Sequence, residues 1–113
     1  MKTSELTGAA LDWAVAKCEG ASVSIRSGGA MTIDGAGDWW NPSLDWAQSG
    51  PIIEREGISL EFRPMGSMFE WVAFCGEEFE GGETALIAAM RCYVASRLGE
   101  EVEIPEELVE VQS

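Results

Sequence analysis

The stretch from Ile58 to Cys75 restricts the folds open to this chain more than any other. Ile58-Ser59-Leu60-Glu61-Phe62 alternates apolar and polar residues, the period of a strand with one wet face. Arg63 to Ser67 suits a turn. Met68 to Cys75 reads as a second strand, with Phe69, Trp71, Ala73 and Cys75 on one side and Glu70, Val72 and Phe74 on the other. Beyond Glu70 this strand is apolar on both sides, which predicts a central place in a sheet. Strands joined by so short a turn pair antiparallel, and such a sheet needs helices packed on it.

The helices are legible from their stripes and caps. Residues 4 to 19 place Leu11, Ala14, Val15 and Cys18 on one face, with Thr3 or Ser4 to cap the start and Gly20 to stop it. Thr84 caps a later helix over 85–98, striped by Ile87, Met90, Val94 and Leu98 and ended by Gly99. Between them, Ser43 suits an N-cap with Asp45 in the first turn. That helix is expected to break near Gly50-Pro51, with a short second helix over 51–56, because Pro51 lacks an N–H. Val23, Ile25, Met31 and Ile33 alternate with polar residues around a Ser27-Gly28-Gly29-Ala30 turn, the pattern of a hairpin over 22–34. Residues 77–83 read as an acidic, Gly-rich loop. Val102 and Ile104 suit a short edge segment, stopped by Pro105. The predicted order is α-β-β-α-β-β-α: one α+β domain over 1–104, a small antiparallel sheet with three packed helices, then a loose acidic tail over 105–113.

Charge and absences exclude several functions. Seven Lys and Arg stand against 20 Asp and Glu, a net charge of −13. Direct nucleic-acid binding needs cations to displace phosphate counterions, and anionic membrane surfaces repel such a chain. Eight of those net negative charges lie in residues 77–113, which fits a solubilising surface better than an extended mimic of nucleic acid. The chain has no His, so the usual general base, the commonest metal ligand and every Ser-His or Cys-His couple are missing. Cys18, Cys75 and Cys92 form no CxxC pair and read as reduced, mostly buried thiols. No apolar run approaches the roughly 20 residues of a membrane span, and no Gly-rich stretch fits a phosphate-binding loop. No metal and no cofactor is expected.

What remains is aromatic and sparse in cations. Trp39, Trp40 and Trp46 cluster within eight residues at a loop-to-helix corner. Flat rings there suit stacking on a nucleobase, and also an interface or core. Trp13 and Trp71, on regular elements, read as core. With so few cations, Arg91 in the last helix is a candidate grip for phosphate or carboxylate, against a structural ion pair. Asp45 and Tyr93 are candidates for bonding a ligand hydroxyl, although capping accounts for Asp45 on placement alone.

Three separated segments, in order, resemble the NinX-like family of small tailed-phage proteins. They are Met1-Lys2-Thr3-Ser4-Glu5-Leu6 through Leu11-Asp12-Trp13-Ala14-Val15-Ala16; Asn41-Pro42-Ser43, Asp45-Trp46-Ala47-Gln48 and Gly50-Pro51-Ile52-Ile53-Glu54; and Ala88 to Ser96 with Leu98-Gly99 and Val102. Residues 20–38 and 76–82 have no counterpart in these motifs. A looser likeness links the chain to phage α/β sandwich domains with the same late helix. The resemblance implies a phage-encoded, non-essential accessory protein acting in the cytoplasm of the infected bacterial host. It implies no reaction and carries over no catalytic residue.

The leading expectation is a non-enzymatic counter-defence protein, a homo-oligomer that sequesters a nucleotide-derived host immune signal. Trp39, Trp40 and Trp46 would stack the base, Arg91 meet a phosphate, and Asp45 or Tyr93 bond a ribose hydroxyl. The alternative is an acidic inhibitor or modulator of a host or phage protein. A carboxylate enzyme, such as a metal-assisted hydrolase, ranks third.

Overall fold

The computed structural model describes residues 1–63 and 71–112, with side chains described to residue 109. The elements are α1 (Gly8–Glu19), β1 (Val23–Ile25), β2 (Met31–Ile33), α2 (Trp46–Glu56), β3 (Ser59–Phe62), β4 (Trp71–Cys75), β5 (Glu78–Gly82), α3 (Ala85–Leu98) and α4 (Glu106–Gln112), with 3-10 turns at Thr3–Glu5 and Ser27–Gly29. The predicted α+β class holds. Its strands form two antiparallel sheets rather than one: the β1-β2 hairpin and a three-stranded sheet ordered β3-β4-β5.

The helix α3 is the centre of the molecule. From Ala88 to Ala95 every residue is buried, so this helix has no wet face. One side packs on the three-stranded sheet and the other on α1 and α2. The first helix delivers the predicted stripe of Leu11, Ala14 and Val15 to this core, joined by Leu6, Ile52, Ala73 and Val102. The sheet and helix meet closely at Gly82, where a Cβ would stand 2.6 Å from the Ala88 nitrogen, so no larger residue fits without a shift.

The register sets which side chains face α3. Leu60 pairs with Ala73 and Phe62 with Trp71, so these residues share the inner face with Cys75. Val72 and Phe74 point outward and stay half-buried, whereas Ser59 and Glu61 on the same side of β3 are exposed. The central position of β4 is as expected, but among the described residues no second layer covers its outer face. The expected strand residues 68–70 and most of the 63–67 turn lie outside the described residues.

Several expectations need correction. The first helix starts at Gly8; Thr3 belongs to the 3-10 turn, and its Oγ1 donates to the Gly99 carbonyl at 2.6 Å. The second helix runs unbroken through Pro51, and its N-cap is Asp45, whose carboxylate accepts from Ala47 N–H at 2.9 Å. Residues 78–82 are an edge strand, not a loop: Phe79 pairs with Phe74 and Gly81 with Val72. The acidic tail is not loose either. Pro105 starts α4 by accepting from Leu108 and Val109 N–H, and Leu108 is fully buried. At 101–102 no strand forms; instead Lys2 and Glu101 make a single antiparallel bridge, and Met1 and Val102 exchange backbone bonds. Among the described residues no helix is long and apolar enough to cross a membrane.

Candidate functional site

The loop from Asp38 to Trp46 carries most of the predicted site, and its sequence is used to hold it still. Asp38 accepts from Ile33 N–H and Trp40 N–H donates to the Met31 carbonyl, so the segment runs beside β2 like a short extra strand. Strand alternation then sends neighbouring tryptophans to opposite sides. Trp39 is 61% exposed. Trp40 packs on the core, and its Nε1 donates to the Asp12 carbonyl at 2.8 Å. Asn41 opens a turn in which its carbonyl accepts from Leu44 and Asp45 N–H. Gln48 staples that turn to α2: its Oε1 accepts from Asn41 N–H at 2.8 Å, and its Nε2 donates to Trp39 O and Asn41 Oδ1, both at 3.0 Å. Ser49 Oγ donates back to the Asp45 carbonyl at 3.1 Å.

Beneath this turn lies Asp12, on α1 and only 4% exposed. Its Oδ1 accepts from Ser43 N–H at 2.8 Å. Burial pushes this carboxyl up from 3.8 to about 6, because a charge removed from water is costly; the Ser43 N–H and the nearby Ser43 hydroxyl pull the other way without cancelling it. Among the described residues that hydroxyl completes no hydrogen bond of its own. Sequence reading passed over Asp12. The signal was present: it is the sole charge in an otherwise apolar run from Gly8 to Ala16.

Above the turn is a cleft of about 340 Å³ between Leu44 and Trp46 on one side and the start of α3 on the other. Trp71 and Leu86 complete its apolar lining, with Ser43, Thr84 and Glu83 as the polar groups. Thr84 Oγ1 accepts from Ile87 N–H at 3.1 Å, which caps α3 where its first N–H groups have no partner within the helix. Leu44 is 76% exposed and Trp46 55%. Among the described lining residues Glu83 is the one charge, and it is negative. Trp71, expected in the core, faces α3 and also reaches this cleft.

Arg91 and Tyr93 are not part of it. Two residues apart on one helix, they point to nearly opposite sides. Arg91 is buried, and its guanidinium is spent on two backbone carbonyls: Nε donates to Leu6 O at 2.7 Å and Nη1 to Gly81 O at 2.9 Å. It therefore closes part of the open edge of β5. Burial draws its pKa below the usual arginine range, against the opposing charges of Glu80 and Glu83. Tyr93 sits under a network between three helices. Its hydroxyl donates to Glu19 and accepts from Arg55 at 3.1 Å, while Arg55 and Arg97 lie over its ring. Burial and Glu19 raise the phenol pKa, and Arg55 holds Glu19 low. Asp45 is a helix cap.

Other reactive groups are quiet. Burial pushes the Cys18 thiol up to about 11 and Cys92 up to about 12, so neither is thiolate near neutrality. Among the described residues no three of His, Cys, Asp and Glu stand together as a metal site requires.

The family model described as Bacteriophage P22, NinX matches residues 2–97, a span that includes the segments the three sequence motifs left unmatched. No curated protein matches the chain.

Proposed function

The chain belongs to the bacteriophage P22 NinX family, and on that premise we propose that it is a phage accessory protein that acts by binding, without catalysis, in the cytoplasm of the infected cell. Its target in this reading is a host or phage protein, docked on the Trp39–Trp46 loop. One observation carries the proposal. The loop is tied down by Asp12, Asp45, Gln48 and Ser49, yet it holds Trp39, Leu44 and Trp46 out in water. Large exposed apolar groups on a rigid frame are the anchors of protein interfaces, because their ordering cost is met before binding. An apolar side chain of the partner would fill the cleft between Leu44, Trp46 and Trp71.

A second reading, the sequestration of a nucleotide-derived immune signal, keeps support from the same cleft, whose two indole rings and helix start suit a planar ligand. Phosphate fits it poorly. Glu83 is at the rim, and Arg91 is committed to Leu6 and Gly81.

Native mass spectrometry separates the readings. The protein is sprayed alone and with cyclic and ADP-ribose-type nucleotides, and tagged protein is then recovered from infected cells. We expect an unliganded mass across the panel, and a partner protein recovered with the wild type and lost with Trp46→Ala. A nucleotide adduct at one per subunit or per dimer would favour sequestration. A partner retained by Trp46→Ala would refute docking on this loop.

A further inference from the structure

A second apolar surface lies on the other side of the three-stranded sheet. Trp71 and Val72 are neighbours on β4, so strand alternation turns one toward α3 and its cleft and the other to the outside. On that outside face Val72, Phe74 and Phe79 sit side by side: Phe74 and Phe79 are register partners with ring centroids 6.4 Å apart, and Val72 pairs with Gly81. Gly81 has no side chain, which leaves a notch beside Val72. Phe79 is 67% exposed. The result is a depression of about 650 Å³, roughly twice the size of the tryptophan cleft.

The rim of this depression decides what covers it. Glu77, Glu78, Glu80 and Glu100 line it. Among the described lining residues the one cation is Arg63, which lies over the Phe74 ring and is paired with Glu61 at 3.0 Å. An apolar floor with so negative a rim is matched by apolar side chains flanked by lysine or arginine. A second copy of this chain would bring the same negative rim, on a molecule of charge −13, against itself. An anionic membrane surface is repelled for the same reason.

We propose that the outer face of β4 and β5 is a second docking surface, specific for a basic, apolar segment of a partner protein. It rests on the sheet register and the rim charge, and stands whether or not the tryptophan loop binds anything. With both surfaces occupied, the chain bridges two partners on opposite sides of one sheet.

The test uses the full chain and a labelled amphipathic helical peptide with leucine and tryptophan on one face and lysine on the other. A control peptide carries glutamate at each lysine position. Binding is followed by fluorescence anisotropy. The lysine peptide is expected to bind one to one and the glutamate peptide not to bind. Phe79→Ser is expected to weaken binding by about tenfold or more, as for loss of a central interface anchor. Glu77→Lys with Glu78→Lys weakens it comparably, and so does a rise from about 50 to about 300 mM salt, which shortens the reach of the rim charges. Trp46→Ala leaves it unchanged. Far-UV circular dichroism confirms that each variant is folded. Equal binding to wild type and Phe79→Ser would overturn the proposal, since the peptide would then be held by acidic surface elsewhere. So would equal affinity for the two peptides, or sedimentation showing a dimer that Phe79→Ser dissociates.

Discussion

Replacing Asp12 by Asn should change the stability of this protein in a way that depends on pH. Asp12 is buried, its carboxylate accepts from Ser43 N–H with the Ser43 hydroxyl nearby, and among the described residues no cation pairs with it. Its pKa in the folded chain rises from 3.8 to about 6. At about 1.4 kcal/mol for each pH unit, that difference corresponds to about 3 kcal/mol. The sign follows from which form folding prefers. The folded chain favours the protonated acid, so the contribution of Asp12 is fully present below 3.8, is lost as pH rises through about 6, and is absent above that. Asn does not titrate. It keeps an oxygen for Ser43 N–H, and its amide has the unpartnered Ser43 hydroxyl to donate to. The stability of Asp12→Asn relative to wild type should therefore rise by about 3 kcal/mol between about pH 3 and about pH 7, with the variant the more stable at neutrality. Urea titrations at several pH values measure this, and every other acid cancels in the difference. A difference that is flat with pH, or that falls as pH rises, would refute the electrostatic reading of Asp12.

Three further outcomes are expected. Arg91→Met strips the donors from the Leu6 and Gly81 carbonyls and should cost about 2–4 kcal/mol in chemical unfolding. Gln48→Ala, which touches no exposed tryptophan ring in the hydrogen-bond network, should cost about 1–2 kcal/mol and still weaken partner recovery by loosening the loop, whereas Trp46→Ala should weaken recovery with stability changed by less than about 1 kcal/mol. Because Arg55 holds Glu19 below its ordinary 4.5, the stability that Glu19 adds is present above 4.5 and lost as pH falls through its lowered value; the cost of Glu19→Gln should fade on acidification, which melting curves from neutral to acid will show.

Local pattern and tertiary context divide what was legible. The stripe of α1, the Thr84 cap of α3 and the alternation of β3 are set by neighbours a few residues away, and the sequence displays them. The strand β5 was hidden because Glu78, Glu80, Gly81 and Gly82 have poor strand propensity; pairing with β4 overrides it. Six acids in the last segment made α4 read as loose, and only the burial of Leu108 explains its folding. Pro51 reads as a break because its missing N–H is visible in sequence, whereas the packing of Ile52 that carries the helix past it is not.

The candidate site shows the same division. The tryptophan corner was found, since aromatics in a Gly-rich segment stand out. Which ring faces water depends on the bridge between Thr32 and Trp39, a pairing no local pattern announces. Arg91 looked available because its real acceptors are the carbonyls of residues far away in the chain, at Leu6 and Gly81.

The backbone bonds of Met1 and Thr3 to Glu100 and Val102, with the Thr3 hydroxyl on the Gly99 carbonyl, join the two ends of nearly the whole described chain. Such contacts have high sequence separation, and the entropy of closing so long a loop must be met before they form. This separation predicts that the opening residues pair only after residues 99–102 have left the ribosome, and that α1 docks only once α3 has formed. The expected order of assembly therefore runs from the local β3-β4-β5 meander and α3 outward, with the pairing of Met1 and Thr3 among the last contacts made.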